Sequence, residues 1–139
     1  MRNELADIEL YCKEIIDQTA DLLTWQWDEN IGAMLSVFDV DRKREAYQIF
    51  FDYFAAAWNC DSLNDAPDVV QEVAASLGGI RPGQYLFTSQ PDETAMVFAA
   101  WWPWGDGQKI SLRISMNLGE ISNYDRAMFI EEFKTWFAE

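Results

Sequence analysis

The sequence contains no histidine. That absence removes the Ser-His-Asp and Cys-His pairs of nucleophilic catalysis and every imidazole metal ligand. Proton transfer near neutral pH would fall to a shifted carboxylate, lysine, tyrosine or cysteine. Cysteine is scarce: Cys12 and Cys60 are the two present, and they form no C-x-x-C pair. Each lies in an apolar stretch, where free cysteine serves as a small core hydrophobe, and nothing in the spacing supports a disulfide between them. With seven glycines and four prolines in 139 residues, collagen-like and linker compositions are excluded. No apolar run approaches the roughly 18 residues of a membrane span. The opening Met1-Arg2-Asn3-Glu4-Leu5-Ala6-Asp7 lacks an apolar signal core, and no N-x-S/T acceptor occurs. The chain is therefore expected in the cytoplasm, without metal or cofactor.

Positive charge is the remaining shortage. Ten Lys and Arg stand against 24 Asp and Glu, a formal charge of −14. Such a field repels phosphate backbones and anionic lipid and draws cationic partners inward. Neither nucleic acid nor a membrane is the expected partner; a basic protein is. The one basic cluster, Arg42-Lys43-Arg44, stands at the start of a helix, the end where the dipole disfavours cations.

Apolar residues make up 50% of the chain and aromatics 15%. A chain of this length buries about 68–70% of its unfolded surface, enough for a core without disulfides, and residues 1–139 are expected to form a single domain. Leu5, Ile8, Cys12, Ile15, Thr19 and Leu22 recur at three and four, predicting an amphipathic helix over 4–23. Residues 33–38 suit a short buried strand, while 23–27 fit either a fraying helix end or a strand pairing with it. Asp39 or Asp41 is placed to cap a helix whose face runs Ala46, Ile49, Phe50, Tyr53, Phe54, Ala57 and Trp58. Tyr47 and Phe51 lie off that face, so this helix is expected to be covered on two sides. Asp65 with Pro67 marks the start of a third helix, which Gly78 ends.

The pattern then changes. Arg81-Pro82-Gly83-Gln84 reads as a type II turn. Strands follow at 85–89, 94–102 and 109–116, with Gln90-Pro91-Asp92-Glu93 and the glycine-rich 103–107 as turns. In the last strand Ile110, Leu112, Ile114 and Met116 face one way and Ser111, Arg113 and Ser115 the other. Ser122 caps a final helix carrying Phe129, Ile130, Phe133, Trp136 and Phe137. The order α-β-α-α-β-β-β-α predicts an α+β fold: a mostly antiparallel sheet of three to five strands, including a meander over 84–116, with about four helices on one face.

Trp101-Trp102-Pro103-Trp104 is the strongest candidate feature. Successive strand residues face opposite ways, so Trp101 and Trp102 cannot both enter one core, and one of them or Trp104 is expected at the surface. Exposed tryptophan anchors interfaces, stacks on sugars and cations, or is covered by a neighbouring element. Arg113 shares the polar strand face and could serve a cation–π contact or an anion site. Asp61, Asp65, Asp68 and Glu72 form the densest acidic group, from a span (45–80) with six acids and no base. They do not match a calcium loop, because Leu63 occupies its third position. Gly105-Asp106-Gly107 lacks the spacing of a phosphate loop.

Size and composition are similar in kind to bacterial immunity proteins and secretion chaperones, an analogy without a family motif. The expectation is a non-enzymatic acidic protein that neutralises or chaperones a basic protein partner. Asp61, Asp65, Asp68 and Glu72 would speed association, and Trp102 and Trp104 would anchor it. The alternatives are a nucleic-acid mimic that blocks a DNA- or RNA-binding protein, and a small-molecule binder or enzyme using the Trp101–Trp104 region. A homodimer would compete for the tryptophans.

Overall fold

Strand alternation organises the molecule into layers. The computed structural model describes residues 2–90 and 95–138. Its strands are β1 (Gln26–Asp28), β2 (Ala33–Asp39), β3 (Ala56–Trp58), β4 (Tyr85–Thr88), β5 (Met96–Pro103) and β6 (Lys109–Asn117). Its helices are α1 (Arg2–Gln18), α2 (Lys43–Tyr53), α3 (Asp68–Ser76) and α4 (Asn123–Phe137). The strands form one sheet in the order β1-β2-β6-β5-β4-β3, every neighbouring pair antiparallel. The α+β architecture agrees with the sequence reading, but the sheet has six strands where three to five were expected. The strands that the pattern did not resolve, β1 and β3, are three-residue edges.

The central strand β5 is buried without interruption from Met96 to Trp101, as a strand covered on both faces must be. Val97, Ala99 and Trp101 join Phe38, Phe87, Leu112 and Ile114 in one core, closed by Leu5 and Ile15 of α1, Phe50 of α2 and Phe133 of α4. Trp101 is 1% exposed and meets Phe38, Tyr47 and Phe87 edge-on, with centroids 5.6–6.3 Å apart. The intervening residues, Met96, Phe98 and Ala100, form a second core with Leu86 and with Val70, Val73 and Ala74 of α3. The helices therefore do not share one face: α3 lies opposite the other three. Only an apolar cover on that side removes Met96 and Phe98 from water.

Local hydrogen bonds explain where the helices stop. α1 ends at Gln18, short of the expected 23, where the Thr19 hydroxyl donates back to the Ile15 carbonyl (2.8 Å). α2 ends at Tyr53 because Phe54 turns extended (φ −75°, ψ 147°). Ala56–Trp58, expected to continue that helix, pairs with β4 instead, and Trp58 Nε1 donates to Thr88 Oγ1 (3.0 Å). Neither expected acidic cap forms. Asp39 makes no capping bond and holds Lys109 Nζ at 2.8 Å. Asp65 sits in a 3₁₀ turn (Leu63–Asp65), and α3 begins three residues later, after Pro67.

Other signals hold. Ser122 Oγ accepts the Asp125 N–H (3.1 Å) at the start of α4. Beyond α3, Gly78 (φ 90°) lets its own N–H reach Ala75 O (3.1 Å) and the Gly79 N–H reach Ala74 O (2.8 Å), capping the last carbonyls. Gln84 N–H closes the Arg81–Gln84 turn on Arg81 O (3.0 Å). The turn read at 90–93 lies outside the described residues from 91 on. Both cysteines are free: Cys12 is buried, and burial pushes its thiol up to about 12. Cys60 is half-buried in the α2–α3 connection, not in the core as expected. No helix among the described residues is long and apolar enough to cross a membrane.

Two aromatic truncations separate core from surface. Trp101→Ala should lower unfolding free energy by about 3–5 kcal/mol in urea titrations. Phe51→Ala, at a side chain 53% exposed, should cost no more than about 1 kcal/mol.

Candidate functional site

α3 packs on residues of β3, β4 and β5, and among the described residues no helix packs on the same face over β2 and β6. Register sets its residues side by side: Leu35 opposite Arg113, Val37 opposite Ser111, and Ser111 opposite Trp102. Leu35, Val37 and Trp102 are half-buried there. At the β5–β6 hairpin, Trp104 N–H donates to Lys109 O (2.9 Å) and Gly107 N–H to Trp104 O (3.1 Å). Gly107 supplies the φ of 72° that this tight return needs. Asp106 Oδ1 accepts the Gln108 N–H (2.9 Å). Trp104 is 43% exposed, yet its indole Nε1–H donates to Ser111 Oγ at 2.7 Å. An exposed tryptophan is thus held in one orientation by the floor beneath it.

Arg113 belongs to this floor. Its Nε donates to Asp28 Oδ2 (3.0 Å), and its guanidinium carbon lies 4.8 Å from the Trp102 ring centre. The side chains of Arg113 and Asp28 are 18% and 12% exposed. That hydrogen bond, helped by the Asn30 N–H on Asp28 Oδ1, holds the Asp28 carboxyl below its ordinary value. Arg113 therefore braces β1, β6 and Trp102, with its charge matched by Asp28. Ser115, its neighbour on the row, donates to Gly32 O (2.9 Å).

Asp61, Asp65, Asp68 and Glu72 are all exposed, along α3 and the segment leading into it. No cation among the described residues forms an ion pair with any of them. The structure brings this element to Trp102, whose ring packs against the same cluster as Ala66 and Val70. The sequence-predicted residues thus share one side of the sheet, and the open question about the tryptophans resolves: Trp101 is sealed, Trp102 is intermediate and Trp104 projects. No group of three or more Cys, Asp and Glu side chains among the described residues is placed to hold a metal.

Sequence reading missed two features. Phe51, expected under cover, stands out beside Tyr47, with ring centres 5.7 Å apart; Tyr47 itself meets Tyr85 and Trp101. A cleft at the other end of β6, lined in part by Trp27, Asn117 and Arg126, also escaped notice. Its one sequence signal is Arg126, a cation near the N-terminal end of α4, where the helix dipole disfavours it. No family model, curated protein or solved structure matches the chain, so the site stands on its own geometry.

The Asp28–Arg113 pair carries a pH signature. A carboxyl held low when folded stabilises the fold fully above its unfolded value of about 3.9, and that stability disappears as pH falls through the folded value. Asp28→Asn should therefore lower the urea midpoint at neutral pH. The gap from the native chain should narrow below about pH 4.

Proposed function

We propose that the protein is a non-catalytic binding protein that captures a basic polypeptide on the open half of its sheet. The observation that carries this reading is Trp104, 43% exposed and pinned to Ser111, two residues on from Trp102, which packs with an acidic element whose carboxylates have no cationic partners among the described residues. A pinned aromatic loses little side-chain freedom when a partner covers it, which is why such residues anchor interfaces. Trp102 extends the anchor and Arg113 stiffens it from below. Asp61, Asp65, Asp68 and Glu72 supply long-range attraction and act mainly on the rate of encounter. By covering its partner's basic surface, the protein would mask that partner or carry it.

Affinity capture from the native host tests this reading, followed by binding kinetics on the retained protein. The partner should be basic. Raising salt from about 0.1 to 1 M shrinks the screening length from about 10 to 3 Å and should slow association at least about tenfold. Trp104→Ala should raise the off-rate by an amount worth about 2 kcal/mol. Joint replacement of Asp61, Asp65, Asp68 and Glu72 by their amides should lower the on-rate and leave the off-rate nearly unchanged. Capture that survives both sets of changes, or a partner of acidic character, would refute the proposal.

A further inference from the structure

The cleft at the Asn117 end of β6 has a charge character opposite to that of the molecule. It encloses about 270 Å³, room for roughly nine waters and close to the lower limit of small-molecule clefts. The walls are about half apolar, from Val73 of α3, Phe98 of β5, Met116 of β6, and Ile130 and Phe133 of α4. In a chain with 24 Asp and Glu, none of the described residues lining it is acidic. Its one charged group is Arg126, half-buried and without a carboxylate partner among the described residues.

The hydrogen-bonding groups of the lining are as one-sided as its charge. The Ser76 and Ser115 hydroxyls are committed to backbone carbonyls, of Val73 (2.6 Å) and Gly32 (2.9 Å). Two donors, on Arg126 and Asn117, are not fully used, and a third, on Trp27, is sealed within the wall. Arg126 spends one N–H on Gly119 O (3.2 Å) out of the five a guanidinium carries. Asn117 accepts the Gly119 N–H on Oδ1 (3.2 Å), which leaves its amide NH₂ without a described acceptor. The Trp27 indole Nε1 is buried and finds no acceptor on the protein. The Trp27 ring is itself held in place by Lys134, whose Nζ lies 4.5 Å from the ring centre. Surplus donors and one unmatched cation, set in walls that are half apolar, lack the same thing: an anionic acceptor carried on an apolar body.

The geometry points to this cleft as a binding site for a small carboxylate with a hydrocarbon or aryl body. A planar carboxylate matches the fork of a single guanidinium, whereas a doubly charged phosphate would need more cation than one Arg126 provides. The surrounding charge of −14 does not forbid such a ligand, because outside charge is screened within about 8 Å at physiological salt, while a charge inside the cleft interacts more strongly. The site uses none of the residues assigned to partner capture, so either assignment can fail without the other.

Octanoate, octanamide and inorganic phosphate make the test. The readout is the Trp27 indole N–H resonance in the ¹⁵N-labelled full chain, identified by its loss in Trp27→Phe. Octanoate should move that resonance saturably with Kd below about 1 mM, and octanamide and phosphate should bind at least about tenfold more weakly. Arg126→Gln should weaken octanoate at least about tenfold, and Arg81→Gln, at an exposed residue that does not line the cleft, should leave it unchanged. Should Arg126→Gln fail to fold, Ser76→Asp provides the same reading from an exposed position on α3, since its carboxylate would repel the ligand at least about tenfold. A Trp27 resonance unmoved up to about 10 mM octanoate overturns the assignment. So does octanamide binding as well as octanoate, or a folded Arg126 or Ser76 variant that binds like the native chain.

Discussion

Alternation along β5 is the constraint from which the architecture follows. Val97, Ala99 and Trp101 must go to one side of the sheet and Met96, Phe98, Ala100 and Trp102 to the other. Both sides of the central strand are therefore apolar, and both need cover. Three helices supply it on one side. On the other, α3 alone among the described helices packs on the sheet, against residues of β3, β4 and β5. That leaves β2 and β6 without a helix on this side, and the adjacent residues Trp101 and Trp102 end in different surroundings, one sealed and one at the rim.

Much of this arrangement was legible. Alternation from Ile110 to Met116 is a nine-residue strand's own signature, and Ser122, Gly78 and the Pro82-Gly83 pair mark turns through chemistry local to each. The edge strands were not legible, because three residues are too few to establish a period. Ala57 and Trp58 even continued the spacing of α2, and only pairing with Phe87 and Leu86 makes them a strand. Asp39 and Asp65 had the chemistry of caps, but Lys109 outcompeted the backbone for one and Pro67 moved the helix start beyond the other. The site divided in the same way. An exposed tryptophan followed from alternation alone, whereas the bond from Trp104 to Ser111 depends on how the hairpin closes. The cleft depends on α3, α4 and the β1–β2 turn meeting at one place, which no local pattern encodes.

Four of the ten cations hold the architecture together. Arg113 links β1 to β6, Lys109 ties the start of β6 to the end of β2, and Lys134 packs on Trp27 while pairing with Glu131. Arg42 reaches back to the Leu22 carbonyl (2.6 Å) and fastens the segment after α1. With positive groups used in this way, the outward carboxylates keep their full reach. Under the proposed reading, an arriving basic chain would meet a negative exterior well before it met an aromatic ring.

The stub-like outer strands bear on how copies of the chain behave when crowded. A sheet offers its unpaired backbone only along its two margins, and here the outermost strands are three residues each, with β2 running on beyond β1 over 36–39. Where β2 runs on past β1 it finishes in the charged Asp39–Lys109 couple, a poor template for an incoming strand. Short outer strands and mutual repulsion together deny fibrillar stacking a foothold, so Phe51, Trp104 and Tyr124 can stand exposed without the sheets zipping into one another.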